Sequence, residues 1–133
     1  MMNLNDGWEE NRDFKREVEF RAGRGTTGYS MDKRPDFCLH IKEKNGMITT
    51  KVVVEVKLFM KNNNEVREAF RQGYSYANWG SAEVLAICDM KQIRVYKKNN
   101  QGTFDENKYV KFSWADMEKP DQFNELKRLL AKN

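Results

Sequence analysis

The run Lys51-Val52-Val53-Val54-Glu55-Val56-Lys57-Leu58-Phe59 constrains this chain more than any other segment. Val52, Val53, Val54 and Val56 are β-branched and suit a pleated, buried surface, so the run reads as a strand from Lys51 to Phe59. An apolar strand does not carry Glu55 and Lys57 without a reason. A further acid, Asp36, follows Pro35 at the start of an earlier alternating segment. Two carboxylates and one lysine gathered near a strand end suit a divalent cation, and that is equipment for hydrolysing a phosphodiester.

The length of 133 residues suits one domain, here 1–133, with room for a real core. A hydrophobic fraction of 39% with 12% aromatics argues for a folded chain. The net charge of +4 is compatible with a nucleic-acid partner without requiring one. Cys38 and Cys88 stand singly in apolar segments, with no metal-ligand spacing, and read as reduced core thiols of a cytoplasmic protein. No apolar stretch reaches membrane-spanning length, and the polar start (Asn3, Asn5, Asp6, Glu9, Glu10) is not a secretion signal.

Periodicity supplies the organisation. Arg16 to Arg21 alternates as a strand, and Gly23 to Gly28 reads as a loop. A strand from Asp36 to Lys42 meets the Lys51–Phe59 strand through a turn or short loop at Asn45-Gly46. Asn64 is the expected N-cap of an amphipathic helix running to Trp79, with Val66, Ala69, Phe70, Gly73 and Ala77 on one stripe and Gly80 as its stop. Strands follow at 84–88, 92–97 and 109–112, and a last helix at 121–131 places Phe123, Leu126, Leu129 and Leu130 on one face. The order β-β-β-α-β-β-β-α fits an α/β domain with a mixed sheet, the helix after the third strand allowing a crossover.

Side chains alternate across a strand, so parity sorts the faces. Phe37, Leu39 and Ile41 share one face, and Asp36, Cys38 and His40 the other. Val52, Val54, Val56 and Leu58 share one face, and Val53, Glu55 and Lys57 the other. A hairpin about Asn45-Gly46 that joins the apolar faces brings Asp36, Glu55 and Lys57 together behind them. Asp36 then lies opposite Glu55 or Lys57, within roughly 5–8 Å at the Cβ level. The carbonyl of Val56, between the acid and the lysine, is an extra metal ligand in this arrangement. The bland alternative is an ordinary cross-strand ion pair on a sheet face. Gln72 and Tyr76 weigh against it, since they sit one turn apart on one face of the following helix.

Pro35-Asp36 with Glu55-Val56-Lys57 resembles the PD-(D/E)xK nuclease superfamily. Gln72 to Tyr76 resembles the Q-x-x-x-Y element of the N-terminal nuclease domain of type I restriction enzyme motor subunits. The similarity extends to 13–21, 33–37, 91–96 and 110–114 and the last helix, nearly the whole chain. It implies a restriction-endonuclease-like core, a mixed central β-sheet flanked by helices. It also implies a Mg2+-dependent DNA endonuclease, with Mn2+ as a substitute metal. Asp36, Glu55 and the Val56 carbonyl would then be metal ligands, Lys57 the catalytic lysine, and Gln72 and Tyr76 supporting or DNA-contacting residues. One departure is the first helix, of which Gly7 to Glu10 looks like only the end, so a third acidic ligand is missing from its usual place. A second copy of the chain could cover that flank, and other restriction-system subunits would supply translocation.

Other residues carry weaker signals. His40, the only histidine, reads as an ordinary half-buried residue rather than a catalytic one. Arg34, Lys51, Lys61, Arg67 and Arg71 would line a DNA groove or simply form a solvated face. Trp8, Trp79 and Trp114 read as packing residues. Two readings from other classes stand beside the nuclease: an inactive nucleic-acid-binding module on the same fold, and a protein-interaction domain.

Overall fold

A computed structural model describes residues 35–132 together with the strand Phe14–Arg16. The elements are β1 (Phe14–Arg16), β2 (Phe37–Lys44), β3 (Met47–Val56), α1 (Asn63–Trp79), β4 (Val84–Cys88), β5 (Gln92–Lys97), β6 (Val110–Ser113), a 3-10 turn (Trp114–Glu118) and α2 (Pro120–Leu130). They form an α/β structure around a mixed sheet whose strands lie in sequence order, β1 to β6. Neighbours are antiparallel except β3 and β4, which run parallel. A parallel pair needs a crossover, and α1 provides it. The strand expected over 16–21 meets the described residues only at Arg16, the last residue of β1, and the expectations at Gly7–Glu10, Trp8, Gly23–Gly28 and Arg34 lie outside them.

The β2–β3 hairpin closes through two residues, Asn45 and Gly46, with φ of 54° and 78°. Left-handed backbone at both positions matches the twist of the flanking strands, and Lys44 pairs directly with Met47. The tight turn starts β3 at Met47 rather than at Lys51. The strand also ends early, at Val56, because Lys57 to Phe59 leave the ladder. The N-cap of α1 is Asn62 rather than Asn64: its side chain accepts from the Glu65 N–H at 3.0 Å. Glu65 accepts in return from the Lys61 N–H, which closes the cap from both sides.

Each face of the sheet carries its own apolar cluster. On one side Cys38, Val53, Leu85, Ile87 and Tyr96 pack with Ala69, Phe70, Tyr76 and Ala77 of α1. On the other, Leu39, Val52, Val84, Ala86, Ile93 and Val95 pack with Leu126, Leu129 and Leu130 of α2. Phe123 does not join this cluster and stays exposed, with the Lys127 ammonium 5.4 Å from its ring centre. Ile41 also departs from its expected face and packs on the α1 side. The cause is His40, whose φ of 58° turns the chain out of the pleat. Its Nε2 donates to the Leu130 carbonyl at 2.8 Å, so the histidine serves the α2 side instead of joining Asp36. Among the described residues no helix is long and apolar enough to cross a membrane.

Candidate active site

Asp36 and Glu55 meet at the end of the β2–β3 ladder. The last pair there is Phe37 with Val54, so one step further places Asp36 across from Glu55 rather than Lys57. Parity puts Glu55 on the α1 side with Val53. The contact is close: a Cβ built on Gly73 of α1 would lie 3.3 Å from Glu55 Cγ. Asp36 Oδ2 accepts from the Val56 N–H at 2.8 Å, which ties the first acid to the strand bearing the second.

The Val56 carbonyl faces the same edge. The Lys57 N–H donates to Cys88 O in β4 at 2.9 Å. In a trans peptide the preceding carbonyl points the opposite way, away from β4 and towards Asp36. Lys57 Nζ donates to Gln72 Oε1 at 2.7 Å and stands 3.8 Å from Glu55 Oε2. Gln72 Nε2 donates to the Tyr76 hydroxyl at 3.2 Å, which fixes the amide so that its oxygen faces the lysine. All six residues singled out in the sequence (Asp36, Glu55, Val56, Lys57, Gln72, Tyr76) therefore belong to one connected site. The ring of Tyr76 is core, whereas its hydroxyl belongs to the polar chain.

Glu55 is 2% exposed, and its Oε1 is buried with no hydrogen-bond partner. Burial pushes its pKa up to about 7; the Asp36 charge adds to the rise, and Lys57 offsets only part of it. A buried carboxylate with an open oxygen, a second carboxylate across the ladder and a carbonyl on the same edge form an oxygen donor set suited to a hard cation. Among the described residues no three His, Cys, Asp or Glu side chains gather, so this set has two acids. Tyr76 remains a neutral phenol, its pKa raised by burial first, with Gln72 opposing and the two acids adding.

Other candidates fall elsewhere. Cys38 and Cys88 are free thiols, pushed up to about 12 and about 11 chiefly by burial, and so are poor nucleophiles. Lys51 donates to the Lys132 carbonyl and lines a cleft of about 480 Å3 with Lys97, Lys98 and Arg128. Arg67 pairs with Glu106 at 3.6 Å. Sequence reasoning missed Asp89, which lies in the turn between β4 and β5. Its carboxylate accepts from the backbone N–H groups of Met60, Lys91 and Gln92. An acid opening a short turn is the usual sign of such side-chain-to-backbone bonding, but the reach to Met60 has no sequence signal. Comparison with family models, with curated proteins and with solved structures gives no match.

Proposed function

We propose that this chain is a Mg2+-dependent DNA endonuclease domain with a restriction-endonuclease-like core. The reading rests above all on Glu55, a buried carboxylate with an unpartnered oxygen that shares its site with Asp36 and Lys57. Asp36, Glu55 and the Val56 carbonyl would hold the cation. When bound, it neutralises charge on the phosphate and makes a coordinated water more acidic. Lys57 supplies an ammonium donor to the attacking water or to the charge that builds on the phosphate oxygens. Gln72, buttressed by Tyr76, keeps that ammonium from swinging into solvent. The resemblance to the nuclease domain of type I restriction motor subunits supports DNA as substrate, with other restriction-system subunits as partners.

A binding module without turnover is the second reading, favoured by the two-acid donor set. A cleavage assay with Mg2+ or Mn2+ on linear, supercoiled and branched DNA separates them. The nuclease reading expects Lys57→Ala and Glu55→Ala to reduce cleavage by at least about a thousandfold, a transition-state loss of about 4 kcal/mol. Cleavage by either variant at the wild-type rate, or salt-dependent DNA binding with no metal-dependent cleavage by the wild type, overturns it.

A further inference from the structure

The segment from Lys57 to Lys61 joins β3 to α1 without regular secondary structure, yet it carries the site lysine. Linkers of this kind are ordinarily fixed by burying their apolar side chains. Here Leu58 and Phe59 face outward, 72% and 45% exposed. Met60 packs against the α1-side core and the Lys61 N–H donates to Glu65, and three further hydrogen bonds tie the segment to the end of β4 and the turn after it. The Lys57 N–H donates to Cys88 O at 2.9 Å, and the Met90 N–H donates to Leu58 O at 3.4 Å. Between them, the Met60 N–H donates to Asp89 Oδ2 at 3.0 Å.

Asp89 is the only side chain in this set, and it grips both partners. Its Oδ1 accepts from the N–H groups of Lys91, at 2.8 Å, and Gln92, at 3.0 Å. The turn is anchored in its own right, since Trp114 donates its indole N–H to Asp89 O at 2.6 Å and its backbone N–H to Lys91 O at 3.0 Å. Burial acts to raise the Asp89 pKa, but the three N–H donors more than reverse it, and the group lies below its ordinary value. The carboxylate is therefore ionised at neutral pH, and its bonds are of the stronger, charge-assisted kind.

We propose that Asp89 is a positioning residue for Lys57, locking the β3–α1 segment onto an anchored turn so that the lysine stays over Glu55 and against Gln72. Both its oxygens accept from backbone N–H groups, Oδ2 from Met60 and Oδ1 from Lys91 and Gln92, so its action on the lysine runs through the backbone. Without the carboxylate, the bond left between the turn and the segment beyond Lys57 is the long one to Leu58 O, while Met60 still packs on the α1-side core and the Lys61 N–H still donates to Glu65. A displacement of about 1 Å at a reacting group can cost about a hundredfold in rate. The catalytic part of this inference rests on Lys57 acting as the nuclease lysine; the placement of Lys57 does not.

The test uses the full chain carrying Asp89→Ala and Asp89→Asn, the latter keeping one acceptor oxygen. Amide hydrogen exchange at Met60, the Lys57 15Nζ resonance and steady-state cleavage are measured together. Asp89→Ala should speed Met60 exchange at least about tenfold and move the Lys57 signal. It should also lower kcat about a hundredfold with little change in KM, and Asp89→Asn should fall between it and the wild type. Asp89 is only a turn residue if Met60 protection and the Lys57 signal stay at wild-type values. Should the alanine variant not fold, the same comparison between asparagine variant and wild type decides. A wild type that cleaves no DNA removes the nuclease reading, while exchange and resonance still decide the positioning.

Discussion

Glu55 is placed where its charge is least welcome, and that gives a stability signature. Its folded pKa of about 7 exceeds the ordinary 4.5, so the native state holds a proton that the unfolded chain releases. Below pH 4.5 both states are protonated and there is no penalty. As pH rises through that window the penalty grows, and above pH 7 it is complete, about 3 kcal/mol. Glu55→Gln should lack this term, so its stability relative to wild type should improve by up to that amount between pH 4.5 and 8. Urea unfolding in EDTA at both pH values measures the difference. Mg2+ should restore the wild type at pH 8 and leave Glu55→Gln unmoved; a gap independent of pH would mean that Glu55 titrates normally. Parity alone found Glu55 and Asp36, because a period of two has one solution once the turn is located. Asp89 could not be found that way, since its key partner lies 29 residues earlier and is a backbone group.

At the scale of elements, α1 can approach β3 and β4 only because residue 73 is glycine. A Cβ there would come within 2.6 Å of Leu85 Cδ1 as well as 3.3 Å from Glu55 Cγ. Leu85 is fully buried and has little room to move. Gly73→Ala gains about 1 kcal/mol of helix propensity, against overpacking of about 1–3 kcal/mol. The expected net result is a loss of about 1 kcal/mol with a displaced α1, and hence a weakened Lys57–Gln72 contact. A double-mutant cycle with Leu85→Val, followed by urea unfolding, should return a favourable coupling; strict additivity would place the clash elsewhere. The sequence had Gly73 on the apolar stripe but nothing marked it as the point of closest approach. Helix and strand identities were legible from periodicity, whereas ends were not. Asn62, Asn63 and Asn64 are chemically equal candidates, and only the tertiary path of the segment before them selects the first. His40 was beyond pattern reading altogether, because a left-handed backbone inside a strand leaves the apolar alternation of the sequence intact.

At the scale of the molecule the sheet is a partition. The candidate site belongs wholly to the α1 side, whereas α2 and its leucines lie behind the sheet. Leu129→Ala should therefore cost about 2–5 kcal/mol while leaving cleavage per folded molecule unchanged well below its Tm. Chemical denaturation paired with an active-site-normalised assay checks this, and a parallel fall in activity would show that the two layers are coupled. The mixed sheet was foreseeable from the element order, because the connection containing α1 carries a helix long enough to cross over and bring two strands parallel.

The Asn45-Gly46 turn acts as a caliper for the candidate site. Asp36 lies nine residues before it, a reach of roughly 30 Å along β2, yet two left-handed residues at one end of the hairpin decide which carboxylates face each other at the other. A one-residue slip of β2 along β3 at that turn would present the opposite side of each residue, separating Asp36 from Glu55 without touching either. The tolerance of the site to insertion is thus set at a place where none of its residues stands.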